Sequence, residues 1–394
     1  MKKTIYESPI NIPVNLISDI EELSKKESLT APTKNNLYLG TWLIWKNQVS
    51  GFDDHNTNLY TRQPIPRNYF IKVFGARYSK PIQLLINADI AQRNDFYFPL
   101  SGSGQCYRYR INPDYFIDSP ERDIVIVKRR ISFDSEEQFQ EHIFYKNQIE
   151  DFRKGLVINE TKLKKIADTL KIDHPNEHVR EVLKQQNYSY IEFLKIGKLY
   201  SKRNPTNLRK NSVLTTISKK IRIPLLKDSN CLSYDAKNCV PYCLIKLIEQ
   251  KKFYLGYPDF QRYKEIVESG QLYESFPGMD REYVKKQIMY FFYGELFYSS
   301  KVSKLFKEMF PTVYRFIIDF KTKYGKSAFA NTLTRIEATF FIDHLSRELL
   351  RQGVIHETIH DSIIFYASDL EKVQEITKQV SKERKMNFTF KIEN

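Results

Sequence analysis

The stretch REYVKKQIMYFFYG, residues 281 to 294, decides how the second half of the chain is interpreted. Every fourth position carries a notable side chain, and a glycine follows the last of them: Arg281, Lys285, Met289, Tyr293 and Gly294. Steps of four residues keep side chains on one slowly winding stripe of a helix. Such a stripe predicts either a surface for a triphosphate and a base or a solvated basic edge over an aromatic core.

Two aspartates lie on either side of this helix in the sequence. Asp235 ends a predicted strand at 231–235, and Asp361 lies in the turn between predicted strands at 357–359 and 362–366. If the fold brings these carboxylates together, they could hold two Mg²⁺ ions ~3.5–4 Å apart, the arrangement used for phosphoryl transfer. Taken singly, an Asp in such a place is more often a cap or turn residue.

In chain order, three elements resemble motifs A, B and C of the family A DNA polymerases and the related single-subunit, phage-type RNA polymerases. They are Asp235 with its strand, the helix at 281–294, and the triplet His360-Asp361-Ser362. The resemblance covers about residues 205 to 394 and departs from the family in the short segment between Gly294 and His360. It implies a polymerase palm with a small antiparallel sheet and a helix-rich fingers region.

The resemblance also implies the roles of individual residues. Asp235, Asp361 and the carbonyl of Ala236 would bind two Mg²⁺ ions, with Mn²⁺ as an alternative. Catalysis would further use Lys285 and Tyr293. The residues that would contact the nucleotide are Arg281, Lys285, Met289, Tyr293, Gly294 and Val240. His360 would steady the primer end, and Arg335 lies in the helix where the family contacts primer and template.

A basic segment precedes Asp235. Residues 198–222 contain eight Lys and Arg side chains and no acidic residue. Asn and Pro interrupt the segment, which predicts a loop that is either a solvated linker or a contact for the nucleic-acid backbone. The nucleic-acid contacts expected from it are Arg209, Lys210, Lys219, Lys220 and Arg222.

Changes in residue composition and periodicity along the chain predict an α+β protein with three segments. Residues 1–36 resemble a flexible arm, and residues 37–196 a separate N-terminal α+β domain for which nucleic-acid binding is one open role. Strands are expected at YLGTWLIW (38–45), RNYFIKVF (67–74) and DIVIVKRRISF (123–133), and helices over 159–200. Residues 197–394 form the polymerase-like palm and fingers.

Composition favours a polyanion as partner, and the alternative is a solubilising charge that has no partner. The formal net charge is +15, from 62 Lys and Arg against 47 Asp and Glu, and 26 Tyr and 27 Phe accompany it. We therefore expect a DNA template, RNA or both as partner, with nucleoside triphosphates as substrates. No apolar run is long enough for a membrane span, and four cysteines suit a reducing compartment. A cytoplasmic monomer is the default expectation.

The resulting hypothesis is a template-directed nucleotidyltransferase that works by two-metal phosphoryl transfer. RNA polymerase or primase activity is slightly favoured over DNA synthesis, because Val240 stands where DNA polymerases of this family carry a glutamate that rejects ribose. Met289 and Ser362 resemble the residues that the single-subunit RNA polymerases of this superfamily carry at these positions. Two alternatives stay open: a catalytically inactive, polymerase-derived nucleic-acid-binding protein such as a replication initiator, and a globular domain whose motif matches are coincidental.

Overall fold

The computed structural model describes residues 2–50, 58–75, 78–94, 98–100, 104–117, 121–133, 135–197, 199–252, 255–296 and 298–393. The chain is a mixed α+β protein, as expected. It divides into two compact units: the first contains 1–143, 158–200 and 217–224, and the second contains 144–157, 201–216 and 225–394. None of the helices in the described ranges has both the length and the apolarity that crossing a membrane requires.

The first unit combines short antiparallel sheets with helices. Its strands are β1 (Lys2–Pro13), β2 (Gln63–Pro64), β3 (Ala91–Arg93), β4 (Phe98–Leu100), β5 (Gly104–Cys106), β6 (Arg108–Ile111) and β7 (Arg122–Phe133). Its helices are α1 (Val14–Lys26), α2 (Ala31–Ser50), α3 (Arg67–Phe74), α4 (Ser79–Asn87), α5 (Asp114–Ile117), α6 (Glu136–Lys154), α7 (Glu160–Asp168) and α8 (Glu177–Ile196); α6 ends in the second unit. The strand orders are β1-β7, β2-β6-β3 and β4-β5.

The prediction of a flexible arm at residues 1–36 is wrong for the described residues. Strand β1 pairs antiparallel with β7 over its whole length, from Lys2 opposite Phe133 to Pro13 opposite Arg122. Ile10 and Ile12 are fully buried in the core of the unit. Residues 2–36 thus contain β1, α1 and the start of α2. The partner strand of β1 lies more than a hundred residues away, and the local residue pattern does not reveal such a pairing.

Two of the three strands predicted in this unit are helices. The stretch 38–45 lies inside α2, which is buried on nearly all sides, and an apolar run of that kind fits a buried helix as well as a strand. The stretch 67–74 is α3, bounded by Pro66 at its start and by Gly75, with φ 74°, at its end. The third prediction is confirmed, because 123–133 lies in β7.

The second unit contains a four-stranded antiparallel sheet, a separate two-stranded hairpin and surrounding helices. Its strands are β8 (Ser201–Arg203), β9 (Lys210–Ser212), β10 (Cys231–Ala236), β11 (His356–Ile359), β12 (Ser362–Tyr366) and β13 (Phe390–Glu393). Its helices are α9 (Val213–Thr216), the end of α10 (Lys219–Asp228), α11 (Cys239–Lys251), α12 (Pro258–Glu268), α13 (Arg281–Tyr293), α14 (Lys301–Met309), α15 (Pro311–Tyr324), α16 (Lys326–Ala338), α17 (Arg347–Arg351) and α18 (Leu370–Arg384). A π-helix, Thr339–Ser346, joins α16 to α17.

The sheet order is β11-β12-β10-β13, and β8 pairs with β9 in a separate hairpin. The predicted strand at 231–235, the strand pair around His360, and the helix over 281–293 are all present. One continuous core joins this sheet to the surrounding helices, and Phe291, Phe306 and Phe341 are among its buried side chains. Many of the aromatic side chains of this unit are therefore part of its core.

A buried ion pair holds the β8–β9 hairpin in this unit. Lys210 is 2% exposed and Glu357 is fully buried, and the Lys210 Nζ lies 2.7 Å from Glu357 Oε1. The Nζ also donates to the Gln148 side-chain oxygen at 2.8 Å. The Gln148 amide nitrogen in turn contacts Ser346 Oγ and His356 Nε2, each at 3.0 Å. Burial lowers the pKa of Lys210 and raises that of Glu357, while their mutual attraction opposes both shifts.

We expect Lys210→Met to destabilise the protein by about 3–5 kcal/mol, because it leaves the Glu357 carboxylate buried without its counter-charge. Urea unfolding measures the change. Lys202→Met, on the exposed part of the same hairpin, is the control and should change stability little. The double variant Lys210→Met, Glu357→Leu should recover most of the loss, and equal losses in Lys202→Met and Lys210→Met would contradict the assignment.

Candidate functional site

The register of two neighbouring strands brings the predicted aspartates together. Asp235 in β10 lies opposite Ser362 in β12, and the backbone N–H of Ala236 donates to the carbonyl of Asp361 at 3.1 Å. Asp235 and Asp361 therefore lie at the same end of the same strand pair. Because a slip of one residue would turn Asp235 to the opposite face of the sheet, this register is a condition for the site.

Asp361 lies in a tight turn beside acidic neighbours. The turn between β11 and β12 contains His360 and Asp361, and His360 has a left-handed backbone with φ 57°. The pKa of Asp361 is raised to about 7, first by burial and then by the negative charges of Glu337 and Asp235, while the charge of Arg209 acts in the opposite direction. The end of the sheet is thus a place where a cation is electrostatically favoured.

Asp235 already has two partners. The Ser362 hydroxyl donates to Asp235 Oδ1, and Lys391 Nζ on β13 lies 3.5 Å from Oδ2. Lys391 also contacts Glu393. These contacts orient the Asp235 carboxylate at the end of the sheet, where its side chain is 22% exposed.

Helix α13 is present as the sequence predicts, but the residues of its stripe differ in how accessible they are to a ligand. Asp280 caps the helix by accepting from the Tyr283 N–H at 2.9 Å. Arg281 is engaged by Glu274, at 2.7 Å, and by Glu282. Lys285 is exposed, whereas Met289 packs against the core.

Gly294 ends α13 for a structural reason. A Cβ at this position would lie 2.4 Å from the Tyr290 carbonyl oxygen, so a larger residue could not keep this backbone. Lys321 on α15 donates to the carbonyl of Phe291 at 2.6 Å and to that of Gly294 at 3.1 Å. Burial lowers the pKa of Lys321 to about 8. The sequence reasoning missed Lys321, whose contacts hold the end of the helix that carries Tyr293.

An arginine–glutamate pair lies between α13 and the aspartates. Arg209 Nε and Nη2 donate to the two carboxylate oxygens of Glu337 at 2.8 and 2.7 Å. Burial acts to lower the pKa of Arg209, but the bonds to Glu337 outweigh it and raise that pKa. Burial and then the charge of Glu337 raise the pKa of Tyr293, so its phenol lies within electrostatic range of this pair. Tyr273 links the same region to Arg281, whose guanidinium lies 5.6 Å from its ring centre.

The segment after Asp235 contains a residue with unused polar atoms. Asn238 has a left-handed backbone with φ 51° and is 6% exposed. Within the described part of the chain, neither its side-chain oxygen nor its side-chain nitrogen has a hydrogen-bond partner. Val240, two residues later, is half-buried and packs on the core. The sequence does not single out Asn238, because one Asn before a helix is an ordinary N-cap signal.

The expectation that the basic segment 198–222 forms a loop is wrong, because its described residues include β8, β9, α9 and the start of α10. Arg209 and Lys210 belong to the second unit and are turned inward to Glu337 and Glu357, because each buried carboxylate needs a counter-charge. The other predicted contacts lie in the portion of α10 that belongs to the first unit: Lys219 and Lys220, both exposed, and Arg222, half-buried. Lys198 lies outside the described residues.

Two further predicted residues have defined surroundings. Arg335 is exposed on α16, and its Nε donates to the Thr206 carbonyl at 2.7 Å. His360 is half-buried in the turn that carries Asp361. The structure therefore groups Asp235, Ala236, His360 and Asp361 at the end of the sheet.

The donor set at this end suits a hard cation. Across the described ranges, no group of three or more His, Cys, Asp and Glu side chains is arranged to hold a metal. Two carboxylates with backbone carbonyls beside them are nevertheless the oxygen ligands that Mg²⁺ uses, with waters or substrate phosphates completing its shell. The raised pKa of Asp361 reflects burial and then repulsion from Glu337 and Asp235, and a bound cation would offset both. The residues therefore fit the group that the sequence predicts.

We expect Glu337→Gln to lower the free energy of unfolding by about 2–4 kcal/mol, because the Arg209 guanidinium loses the charge of its buried partner. Urea unfolding tests this. The control is Glu348→Gln, which breaks an exposed pair with Arg351 and should cost about 0–1 kcal/mol. If both variants lost the same amount, the Arg209–Glu337 pair would not be a stabilising element of this region.

Comparison with known proteins assigns no family to this arrangement. No protein-family model matches the chain, and a search of curated proteins finds no relative of it.

Proposed function

We propose that the chain is a template-directed nucleotidyltransferase, with RNA polymerase or primase activity favoured over DNA synthesis. One observation carries the proposal: the β10–β12 register places Asp235 and Asp361 together at the end of an antiparallel sheet. Next to them lies the Arg209–Glu337 pair, within electrostatic range of Tyr293 on α13. All three elements that resemble polymerase motifs therefore lie in one region of the second unit, and this common location supports the proposal.

The carboxylates have the clearest task in this proposal. Asp235, Asp361 and the carbonyl of Ala236 would hold two Mg²⁺ ions. Such ions, when bound, lower the pKa of a primer hydroxyl and neutralise charge on a triphosphate. Ser362 and Lys391 orient Asp235, and the Arg209–Glu337 pair keeps a negative charge close to Asp361. These residues thus fix the geometry on which in-line displacement depends.

Helix α13 would bind the nucleotide. Lys285 is exposed on the stripe and can meet a phosphate as it stands. Arg281 must exchange Glu274 and Glu282 for the phosphates, which a triphosphate of higher charge favours. Tyr293, held by the end of α13, would lie at the nascent base pair, where its ring can stack.

A second candidate function has its own supporting observation. The Asp235 carboxylate is already bound by Ser362 and Lys391, and Arg281 is already paired with two glutamates. If these contacts persist in the presence of substrate, the unit would bind primer–template without extending it. That outcome describes a catalytically inactive, polymerase-derived nucleic-acid-binding protein.

We expect Asp235→Asn and Asp361→Asn each to lower template-directed nucleotide incorporation by about a thousandfold or more, because each removes a ligand charge from the reacting phosphates. Incorporation of labelled nucleotides on primed and unprimed templates measures it, with primer–template affinity measured in parallel and expected to be nearly unchanged.

Glu393→Gln is the matched control, since Glu393 is a carboxylate on the adjacent strand that contacts the same Lys391. Retention of a tenth of the wild-type turnover in either aspartate variant would refute the assignment. Affinity for primer–template with no incorporation by the wild type would select the inactive alternative.

The choice of sugar is a separate expectation. We expect a higher kcat/KM for ribonucleotides than for deoxyribonucleotides, because Val240 offers no carboxylate against a 2′-hydroxyl. Val240→Glu should shift selectivity towards deoxyribonucleotides if the exposed part of this side chain faces the sugar. A wild-type preference for deoxyribonucleotides above roughly 100-fold, equivalent to about 2.7 kcal/mol, would overturn this expectation.

A further inference from the structure

In the first unit, two arginines, Arg62 and Arg110, lie within electrostatic range of each other where the strand pair β2–β6 ends. The antiparallel register of β2 and β6 pairs Gln63 with Tyr109 and Pro64 with Arg108. Continued by one residue, this register sets Arg62 opposite Arg110. Like charges directly opposite each other on a sheet are destabilising. This cross-strand arginine pair, Arg62 and Arg110, therefore needs an explanation.

The two arginines differ in how well their N–H groups are hydrogen-bonded. Arg110 donates from Nε and Nη2 to the Gln92 side-chain oxygen at 2.8 and 2.7 Å, and from Nη1 to the Tyr60 carbonyl at 2.6 Å. Arg62 Nε is buried and has no hydrogen-bond partner within the described residues. A buried guanidinium N–H without an acceptor costs free energy unless a ligand supplies the acceptor.

The acidic groups near the two arginines do not offset the repulsion between their positive charges. Burial, followed by the charge of Arg62, lowers the pKa of Arg110, whereas Asp89 and Asp114 act in the opposite direction from a distance. Asp89 is occupied by the amides of Gln92 and Asn112. In the part of the chain that the structure describes, neither arginine forms an ion pair with a carboxylate.

An aromatic ring and a further cation border the pair. The Arg110 guanidinium lies 5.7 Å from the centre of the Tyr60 ring, and Tyr60 is 56% exposed. One side of this ring is thus covered by a cation, and much of the remainder is open to solvent. Arg108, two residues along β6 and so on the same face of the sheet as Arg110, is also exposed.

We propose that Arg62 and Arg110 bind a backbone phosphate of single-stranded nucleic acid, while the Tyr60 ring stacks with an adjacent base. A phosphate oxygen would accept from Arg62 Nε and screen the repulsion between the two guanidinium groups. Cations that follow a backbone beside an exposed aromatic ring are typical of single-strand binding surfaces. The proposal concerns the first unit alone and does not depend on nucleotide incorporation by the second.

The test measures the affinity of the full chain for a fluorescent oligothymidylate over a range of salt concentrations. Arg62→Gln should weaken binding about tenfold and reduce the salt slope by about 1, as expected for one lost phosphate contact. Tyr60→Ala should weaken binding about fivefold or more. Arg67→Gln removes the same charge from an exposed site on α3 and should change neither quantity beyond a small general effect.

A stability measurement separates a binding role from a structural one. Without ligand, Arg62→Gln should unfold at the wild-type temperature or above it, because the variant loses only a repulsive contact. A marked fall in Tm would show that Arg62 is structural and would overturn the proposal.

Two further measurements locate the site and its ligand. An oligonucleotide with photoreactive thymidine analogues should cross-link to a peptide that contains Tyr60; cross-links confined to other peptides would overturn the proposal. Inorganic phosphate is the second probe. If phosphate raised the Tm of the wild type but not of Arg62→Gln, and oligothymidylate affinity were equal in both, the pair would bind free phosphate and the nucleic-acid proposal would fail.

Discussion

The register between β10 and β12 is the constraint on which the candidate site depends. It sets Asp235 opposite Ser362 and joins the Ala236 N–H to the Asp361 carbonyl. Both carboxylates then lie at one end of the sheet, and the apolar residues of the same strands, such as Ile363 and Phe365, enter the core. Core packing and site geometry thus follow from a single choice of pairing, because strand side chains alternate between the two faces.

The charged residues of the second unit are used in two different ways. Lys210 and Arg209 neutralise buried carboxylates and hold the β8–β9 hairpin to the surrounding elements of the unit. Lys285, in contrast, is exposed and accessible to a ligand. Because each of the two inward-facing cations is paired with one glutamate, these pairs add nothing to the net charge of +15, and the rest of the chain carries that excess.

The two proposed binding regions rest on independent physical arguments. At the end of the four-stranded sheet, burial and then repulsion from neighbouring carboxylates raise the pKa of Asp361 and favour a cation. On the sheet of the first unit, repulsion between guanidinium groups and an unused N–H of Arg62 favour an anion. In both regions a polar group is kept in surroundings that cost stability, which is typical of sites that function by binding.

Elements that have strong local signals could be predicted from the amino-acid sequence alone. The step-of-four stripe of α13, the apolar strand before Asp235 and the hairpin around His360 were predicted and are present, because local periodicity and turn chemistry dictate them. The buried helix α2 was predicted as a strand, since an apolar run without periodicity fits both. The remaining features are seen only in the folded chain: the pairing of β1 with β7, the burial of Lys210, the Arg209–Glu337 contact and the proximity of Arg62 to Arg110. Each of these joins residues that are far apart in the chain, so their meeting depends on how the whole unit packs.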